Sequence, residues 1–418
     1  MRAPKVGYLV SQYPAPSHTF IRREVAALRA LGVAVETFSV RPGESLSDAD
    51  RAEEARTFVV LARPRALTAL RLLASALVML ARRPRRWLAT LGWTVRHRLP
   101  GAGEGLRALA YFAEATRLAR GLEARGVTHL HSHFSNAAAV VGLAAARLLG
   151  LGWSVTLHGN ADFHGPTTPL LPAKLGEARF AAAVTRHGLA EALRLAGPGA
   201  AGQLHLVRCG IEPGLLPRPS RSPGGGRPLE LLSVGRLSRE KAQVGLVEAF
   251  AGLVARGVDA RLVLIGAGPE EGRVRAAVAA HGLEARVELR GRQPEAAVLS
   301  AMAGADLFAL SSLVEGLPVV LMEALALGLP VVAPAITGIP ELVVDGETGL
   351  LFPAGDWGAL AERLARLAGD APLRARLAEA GRRRVLEEFD AARAAEPLVR
   401  LFREAHAPLG RPPLEPPR

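Results

Sequence analysis

Both halves of this 418-residue chain alternate short, strongly apolar runs with longer stretches of helical periodicity. In the second half, glycine-containing loops and helical patterns separate the runs LELLSVG, RLVLIG and PVVAP. The first half repeats the scheme with VGYLV, VAVETFSV, WSVTLHG and LHLVRCG. Such alternation is typical of βαβ units, in which helices cover both faces of a parallel sheet. The sequence therefore predicts an α/β protein with two Rossmann-like, doubly wound sheets.

A stretch rich in Pro, Ser and Gly, residues 218–227, divides the two halves and is typical of a linker. We therefore predict one domain over residues 1–213 and a second over residues 214–418, sizes that suit one core each. Residues of about 45–120 form a longer connection than a crossover requires. We expect them to be a helical insertion in the first domain.

Composition limits the partners and the compartment. The net charge is +13, but residues 63–120 alone hold twelve arginines and two glutamates, a net charge of +10. This concentration argues against nucleic-acid binding over the whole surface and favours a local contact with an anionic partner. The single cysteine, Cys209, excludes an intramolecular disulfide. With no evident signal peptide and no apolar run near the ~20 residues that span a bilayer, we expect a cytoplasmic protein.

One carboxylate interrupts an otherwise uncharged stretch of the second half. Glu323 is the only ionisable residue between Glu315 and Glu341, and the flanking Gly and Pro residues predict a helix at 319–327 followed by a buried strand. An ionised carboxylate in an apolar helix needs hydrogen-bond donors from the protein or from a ligand. A vicinal diol would supply two donors. Glu315 lies in the preceding loop and is expected to reach outward.

Cations follow the first predicted strand of the second domain. Arg236 ends that strand and Lys241, one of only three lysines in the chain, begins the next helix. Ligands bind outside the carboxyl ends of parallel strands, where cations and helix N-termini suit a diphosphate. The backbone amides of Gly316 and Leu317 would complete such a cradle. The loop 291–294, which includes Arg292, also follows a predicted strand and is expected to contact the same ligand.

Three patterns in this half closely resemble the retaining glycosyltransferases of family 4, which have the GT-B fold of two Rossmann-like domains facing a cleft. They are S-x-x-E-G-L-P-x-x-x-x-E-A at 312–324, G-I-P-E-L at 338–342, and V-G-R-L-x-x-E-K at 234–241. The resemblance covers the whole second half. It departs at Thr337, where many members have glycine.

The resemblance implies roles for the charged residues. Glu323 would bind the ribose hydroxyls of a UDP- or GDP-sugar, and Glu315 would contact the transferred sugar. Arg236 and Lys241 would hold the diphosphate, so that the leaving group is stabilised without a metal or another cofactor. The last helix, at about 389–405, would return to the first domain.

The first domain carries further candidates. His158 ends the strand WSVTLHG and resembles the family histidine that faces the donor sugar. The helix start SHTFIRREV resembles members that assemble exopolysaccharides, although a plain helix cap would also explain it. These comparisons imply a set of residues on the acceptor side of the cleft: Ser17, His18, Thr19, Asn160 and Asp162.

Three histidines alternate along one predicted strand, at positions 129, 131 and 133, and therefore face one side. No carboxylate or cysteine accompanies them at ligand spacing, so we expect no metal site. His133 is a candidate for the cleft.

The basic insertion supports two interpretations. Leucines recur at helical spacing from Leu67 to Leu80, and arginines with Trp87 and Trp93 follow, as in helices that lie on an anionic membrane. A helical hairpin packed on the domain, with solvated arginines, would give the same pattern.

The expected function is transfer of a sugar from a nucleoside diphosphate sugar to a glycan or lipid-linked oligosaccharide of the cell envelope or an exopolysaccharide. The inner face of the membrane would then be the place of action. Two alternatives stay open. One is a GT-B epimerase or phosphorylase, although a phosphorylase needs a pyridoxal lysine and the second domain has only Lys241. The other is a non-catalytic module that binds an anionic ligand.

Overall fold

The computed structural model of the protein describes residues 4–15, 18–45, 47–218, 220 and 227–406. In the first half, seven parallel strands form one sheet in the order β3-β2-β1-β4-β5-β6-β7. The strands are β1 Lys5–Gln12, β2 Ala34–Arg41, β3 Phe58–Val59, β4 His129–His133, β5 Gly152–Leu157, β6 Phe180–Ala183 and β7 Leu204–Leu206. The helices are α1 Thr19–Ala30, α2 Asp48–Arg56, α3 Arg65–Arg82, α4 Pro84–Arg96, α5 Glu104–Ala124, α6 Ala137–Leu149, α7 Asn160–Phe163, α8 Leu171–Glu177 and α9 Arg186–Ala196.

In the second half, six parallel strands form a separate sheet in the order β10-β9-β8-β11-β12-β13. The strands are β8 Leu229–Val234, β9 Ala260–Ile265, β10 Val287–Leu289, β11 Leu307–Ala309, β12 Val331–Pro334 and β13 Leu350–Phe352. The helices are α10 Gln243–Ala255, α11 Glu271–Ala280, α12 Glu295–Gly304, α13 Val319–Ala326, α14 Ile339–Leu342, α15 Trp357–Gly369, α16 Ala371–Glu388 and α17 Ala391–His406.

The predicted class is confirmed: two Rossmann-like parallel sheets, each with helices on both faces. Strands β6, β11 and β12 are buried along their whole length, which is why their sequences are apolar without alternation. Apolar clusters lie on both faces of each sheet. The predicted linker lies largely outside the described residues.

The connection between β2 and β4 holds the helical insertion and one strand that the sequence did not predict. Helices α3, α4 and α5 pack on one another, and α5 also packs along α6. The two-residue strand β3 pairs with β2 and extends the sheet edge. Two residues are too few to show a period-two pattern, so this strand had no sequence signal. Among the described residues, no helix combines the length and apolarity that crossing a bilayer requires.

The last described helix, α17, lies against the first sheet. Leu398 and Phe402 pack in the apolar cluster that contains Val6 and Ile21 of that sheet and its first helix. The chain crosses over at Ile211, whose amide donates to the Phe389 carbonyl at 2.9 Å.

Candidate active site

The carboxyl ends of the two sheets meet through a backbone contact between two loops. A methyl group at Gly316 would lie 2.0 Å from the carbonyl oxygen of His158, closer than side chains approach backbone. Gly159 approaches Gly316 from the other side with φ of +146°, a conformation that favours glycine. The glycines therefore let the loop after β5 touch the loop before α13.

Glu323 lies in α13 with only 5% of its surface exposed, as its apolar surroundings predict. Its carboxylate accepts a hydrogen bond from Arg23 Nη2 of α1 at 2.6 Å, and the same nitrogen also donates to Glu295. Burial raises the pKa of Glu323, and the charge of Arg23 opposes that rise. The required donor thus comes from the first domain.

Arg23 was not among the residues predicted for the site. Its side chain is 3% exposed, and its Nε and Nη1 atoms have no hydrogen-bond partner among the described residues. The only sequence signal was a second arginine beside Arg22 in a helix start already assigned to the cleft.

Glu315, which is buried, and Lys241, which is half-buried, form an ion pair beside Gly316. Lys241 Nζ donates to Glu315 Oε1, which also accepts from Ser312 Oγ at 2.7 Å. Ser311 Oγ donates to the Lys241 carbonyl at 2.8 Å and anchors the loop that carries the lysine. The structure therefore brings together two residues that are 74 positions apart and were predicted for the same site.

The other predicted donor-side groups differ in their exposure and in their hydrogen-bond partners. Arg236 is exposed on the loop after β8, and its carbonyl accepts from Gln243 Nε2 at 2.9 Å. Within the described part of the chain, the amides of Gly316 and Leu317 donate to no protein acceptor. Arg292 is exposed and pairs with Glu44 of the first domain.

The segment around Thr337 supports the Glu315 loop. Thr337 has a φ of +45°, which explains why glycine is common at this position in the family it resembles. Its hydroxyl donates to the Glu315 carbonyl at 3.1 Å, and the Gly338 amide donates to the Gly316 carbonyl at 3.2 Å. Glu341 accepts from the amides of Arg186 and His187 at the start of α9, each at 3.0 Å. The G-I-P-E-L pattern thus braces the two domains.

On the first domain, Asp162 holds the loop that presents His158. Its carboxylate accepts from the His158 amide at 2.7 Å, from the Gly159 amide at 3.2 Å, and from the Ser135 amide. Burial raises its pKa while these three hydrogen bonds oppose the rise. Asp162 is 2% exposed, and its hydrogen bonds orient this loop. Asn160, the first residue of α7, is exposed.

The start of α1 differs from the predicted capping arrangement. The helix begins at Thr19 with His18 at the N-cap and without a side-chain capping hydrogen bond. Ser17, which was predicted for the acceptor side, lies outside the described residues. His18 Nδ1 lies 3.1 Å from the Gln12 carbonyl oxygen, and its ring packs on Phe134. Burial lowers the pKa of His18.

The three alternating histidines of β4 are buried. His129 Nε2 and His131 Nδ1 both reach Ser154 Oγ, and His131 Nε2 reaches Thr156 Oγ1 at 2.9 Å. Ligand atoms of Glu24, His131 and His133 lie within 4.8 Å of one another, a grouping that could hold a cation. Both ring nitrogens of His131 already bond to hydroxyls, so a cation would have to break one of these bonds. The absence of a metal therefore stays a prediction.

Residues 221–384 match the family described as glycosyl transferases group 1. The chain is 40% identical over 146 residues to WcaL of Salmonella typhimurium, named for glycosyl transfer in colanic acid biosynthesis, with 34% of this chain and 36% of that protein covered. It is 35% identical over 171 residues to the amylovoran biosynthesis glycosyltransferase AmsK of Erwinia amylovora, with 40% and 42% covered. The matched segments thus span well under half the length of these relatives.

Solved structures share the whole architecture. Sucrose-phosphate synthase from Thermosynechococcus elongatus superposes with a TM-score of 0.70 and 21% identity, covering 96% of this chain and 99% of that one. Anabaena Alr3699/HepE, solved with UDP and glucose, gives a TM-score of 0.72 at 18% identity, covering 96% and 99%. At these identities the likeness establishes the fold alone. The chain thus has the GT-B fold, and its residues 221–384 match the glycosyl transferases group 1 family.

Proposed function

We propose that this protein is a retaining, metal-independent glycosyltransferase. It would move a sugar from a UDP- or GDP-sugar to a glycan or lipid-linked oligosaccharide acceptor of the cell envelope or an exopolysaccharide. One observation carries the proposal: Glu323 and the Glu315–Lys241 pair of the second domain lie where that domain meets Arg23 and the His158 loop of the first. A binding module has no need of a carboxylate held beside a cation at that place.

The donor-side roles follow from charge and exposure. Glu323 accepts from the ribose diol once Arg23 yields part of its contact. The diphosphate gains negative charge as it departs. This charge is neutralised by Lys241, by Arg236 and by the free backbone amides just before α13. A protein of the same fold, Anabaena Alr3699/HepE, has been solved in complex with UDP-glucose, and this supports a nucleotide-sugar donor.

The reaction needs no dedicated protein base. The bond between the anomeric carbon and the diphosphate oxygen breaks, and the acceptor oxygen forms its bond on the same face of the sugar. The acceptor proton passes to the departing phosphate oxygen. Glu315, held by Lys241 and Ser312, contacts the sugar hydroxyls during this step.

A panel of UDP- and GDP-sugars tests the proposed activity. We expect release of nucleoside diphosphate from one of them, faster with a lipid-linked glycan, and a product whose anomeric configuration matches the donor by NMR. Conversion of the sugar without nucleotide release would favour the epimerase instead. No turnover of any donor, with or without acceptor, would contradict the proposal and favour a binding module.

A surface on the insertion supports membrane association on the cytoplasmic side. Helix α3 turns Thr68, Ser75 and Met79 inward, while leucines face outward. We use the term leucine face for the exposed leucines of α3, α4 and α5. They are Leu67, Leu70, Leu73, Leu77, Leu88, Leu106 and Leu109. Apolar side chains that face out beside a net charge of +10 suit an anionic lipid surface.

The predicted tryptophan contribution to this surface was wrong. Trp87 packs edge-on against Phe112 with ring centroids 4.9 Å apart, and Trp93 stacks on His97 at 4.6 Å. Both rings pack against the domain core, because the faces of α4 that hold them turn towards α5 and α6. The leucines therefore carry the membrane contact.

Liposome co-sedimentation tests the leucine face. Leu70, Leu73 and Leu77 are 65%, 59% and 58% exposed, so changing all three to serine should leave the fold intact and abolish sedimentation. Sedimentation of the unchanged protein should rise with anionic lipid and fall with salt, because screening acts over ~8 Å at physiological ionic strength. Leu215→Ser, at a leucine 53% exposed elsewhere, is the control.

Equal sedimentation of the triple variant and the unchanged protein would contradict the membrane proposal. So would a dimer that the three serines dissociate, because the leucine face would then bind a second copy of the chain.

A further inference from the structure

A chain of polar side chains runs from the core of the first sheet to the cleft. Tyr8 of β1 donates its hydroxyl to Glu24 Oε1 at 2.8 Å. His133 Nε2 lies 3.3 Å from the same oxygen. His133 Nδ1 lies 2.9 Å from His158 Nε2. Tyr8 and His133 are buried, whereas His158 at the end of the chain is only partly so.

The carboxylate determines where the ring protons lie. Glu24 can only accept, so it favours the form of His133 that carries its proton on Nε2. The opposite form would point a lone pair at the carboxylate. The 3.3 Å contact is too oblique to count as a hydrogen bond, and Nε2 has no other partner among the described residues. The effect of Glu24 on His133 is therefore mainly electrostatic.

The position of the His133 proton then determines which ring nitrogen of His158 is protonated. With its proton on Nε2, His133 offers an unprotonated Nδ1, so His158 Nε2 must donate to it. The His158 Nδ1 atom is left as an acceptor with no hydrogen bond to the described residues. Phe20 and Phe134 contact the ring at centroid distances of 4.9 Å and 4.5 Å and fix its plane.

We propose that Glu24 and His133 are positioning residues that hold His158 with Nδ1 unprotonated, so that this nitrogen accepts a hydrogen bond from a hydroxyl of the transferred sugar. The proposal rests on the glycosyl transfer proposed above. It adds a hydrogen-bond direction, since the sugar must donate to the protein here.

The direction of that bond favours the transition state. As the bond to the leaving group breaks, the sugar ring gains positive charge and its hydroxyls become stronger donors. A neutral acceptor nitrogen then binds the transition state more tightly than the ground state, which is the condition for catalysis. Burial, with smaller contributions from His133 and His18, keeps the pKa of His158 well below its ordinary value, so the ring stays neutral.

Nitrogen NMR of the protein labelled with 15N-histidine tests the proton position directly, without any substrate. Comparison with His158→Gln assigns the ring signals. We expect the proton of His158 on Nε2 in the unchanged protein, and a mixture of both forms in Glu24→Gln. In turnover, Glu24→Gln should lower kcat by ~10-fold with the donor KM within about twofold, the size seen when a partner that orients a functional histidine is lost.

The control is Glu53→Gln, at another buried carboxylate of the first domain. Glu53 accepts hydrogen bonds from Arg29 and Thr37, which are not part of the series of polar side chains from Tyr8 to His158. It should change neither the His158 signals nor kcat. A proton on His158 Nδ1 in the unchanged protein would overturn the proposal even if Glu24→Gln failed to fold. A histidine spectrum that changes on adding a chelator would overturn it too, because a metal ion would then occupy His133 Nε2. Because the spectrum needs no turnover, either result is separate from failure of the proposed activity.

Discussion

Replacing Lys241 with alanine is expected to lower turnover by ~100-fold or more. The lysine is expected to neutralise the departing diphosphate, and removal of one group that stabilises developing charge costs about this much. Its loss also leaves the Glu315 carboxylate with Ser312 as its remaining hydrogen-bond partner among the described residues. Steady-state release of nucleoside diphosphate measures the effect.

Arg239→Ala is the matched control for this variant. Arg239 lies two positions away on the same loop, but its side chain is 83% exposed and only approaches Glu270 at 3.6 Å. We expect its turnover to stay close to that of the unchanged protein. EDTA should change the rate little, because protein cations neutralise the leaving group. A strict requirement for a divalent metal, or equal rates for the two variants, would contradict these roles.

Glu323→Ala is expected to weaken UDP or GDP binding by about 2 kcal/mol, or ~30-fold, through loss of the two ribose hydrogen bonds. The variant should fold, because Arg23 keeps Glu295 as an ion-pair partner. Isothermal titration measures the affinity.

Glu295→Gln tests whether a disturbed Arg23, rather than the lost Glu323 carboxylate, accounts for a loss of nucleotide affinity. This substitution weakens the other contact of Arg23 and leaves the Arg23–Glu323 pair intact. Nucleotide affinity should then stay within about twofold of that of the unchanged protein. Unchanged affinity in folded Glu323→Ala would remove the ribose assignment.

The sequence was sufficient for the fold and for the proximity of three predicted site residues. Apolar runs without alternation predicted buried parallel strands, and the rule that ligands meet strand carboxyl ends placed Lys241, Glu315 and His158 near one another. The helix that holds Glu323 was also predicted within a residue of its bounds, because glycine and proline mark its ends.

Contacts between distant segments could not be predicted. Arg23 and Glu323 are 300 positions apart, and no periodicity shows which arginine among 49 meets a buried carboxylate. The link from Glu24 through His133 to His158 needed the register of β4 beside β5. The inward packing of Trp87 depended on the position of α5, whereas helical spacing defines a face without saying which way it turns.

A crystal structure of the protein with a bound nucleoside diphosphate tests the central claim most directly. We expect the ribose hydroxyls within hydrogen-bond distance of Glu323, with Arg23 displaced from at least part of its present contact. The diphosphate should lie beside Lys241, Arg236 and the Gly316 amide. A nucleotide bound elsewhere, or one whose phosphates lie away from Lys241 while Arg23 keeps its contact with Glu323, would contradict the assignment of this cleft as a donor site.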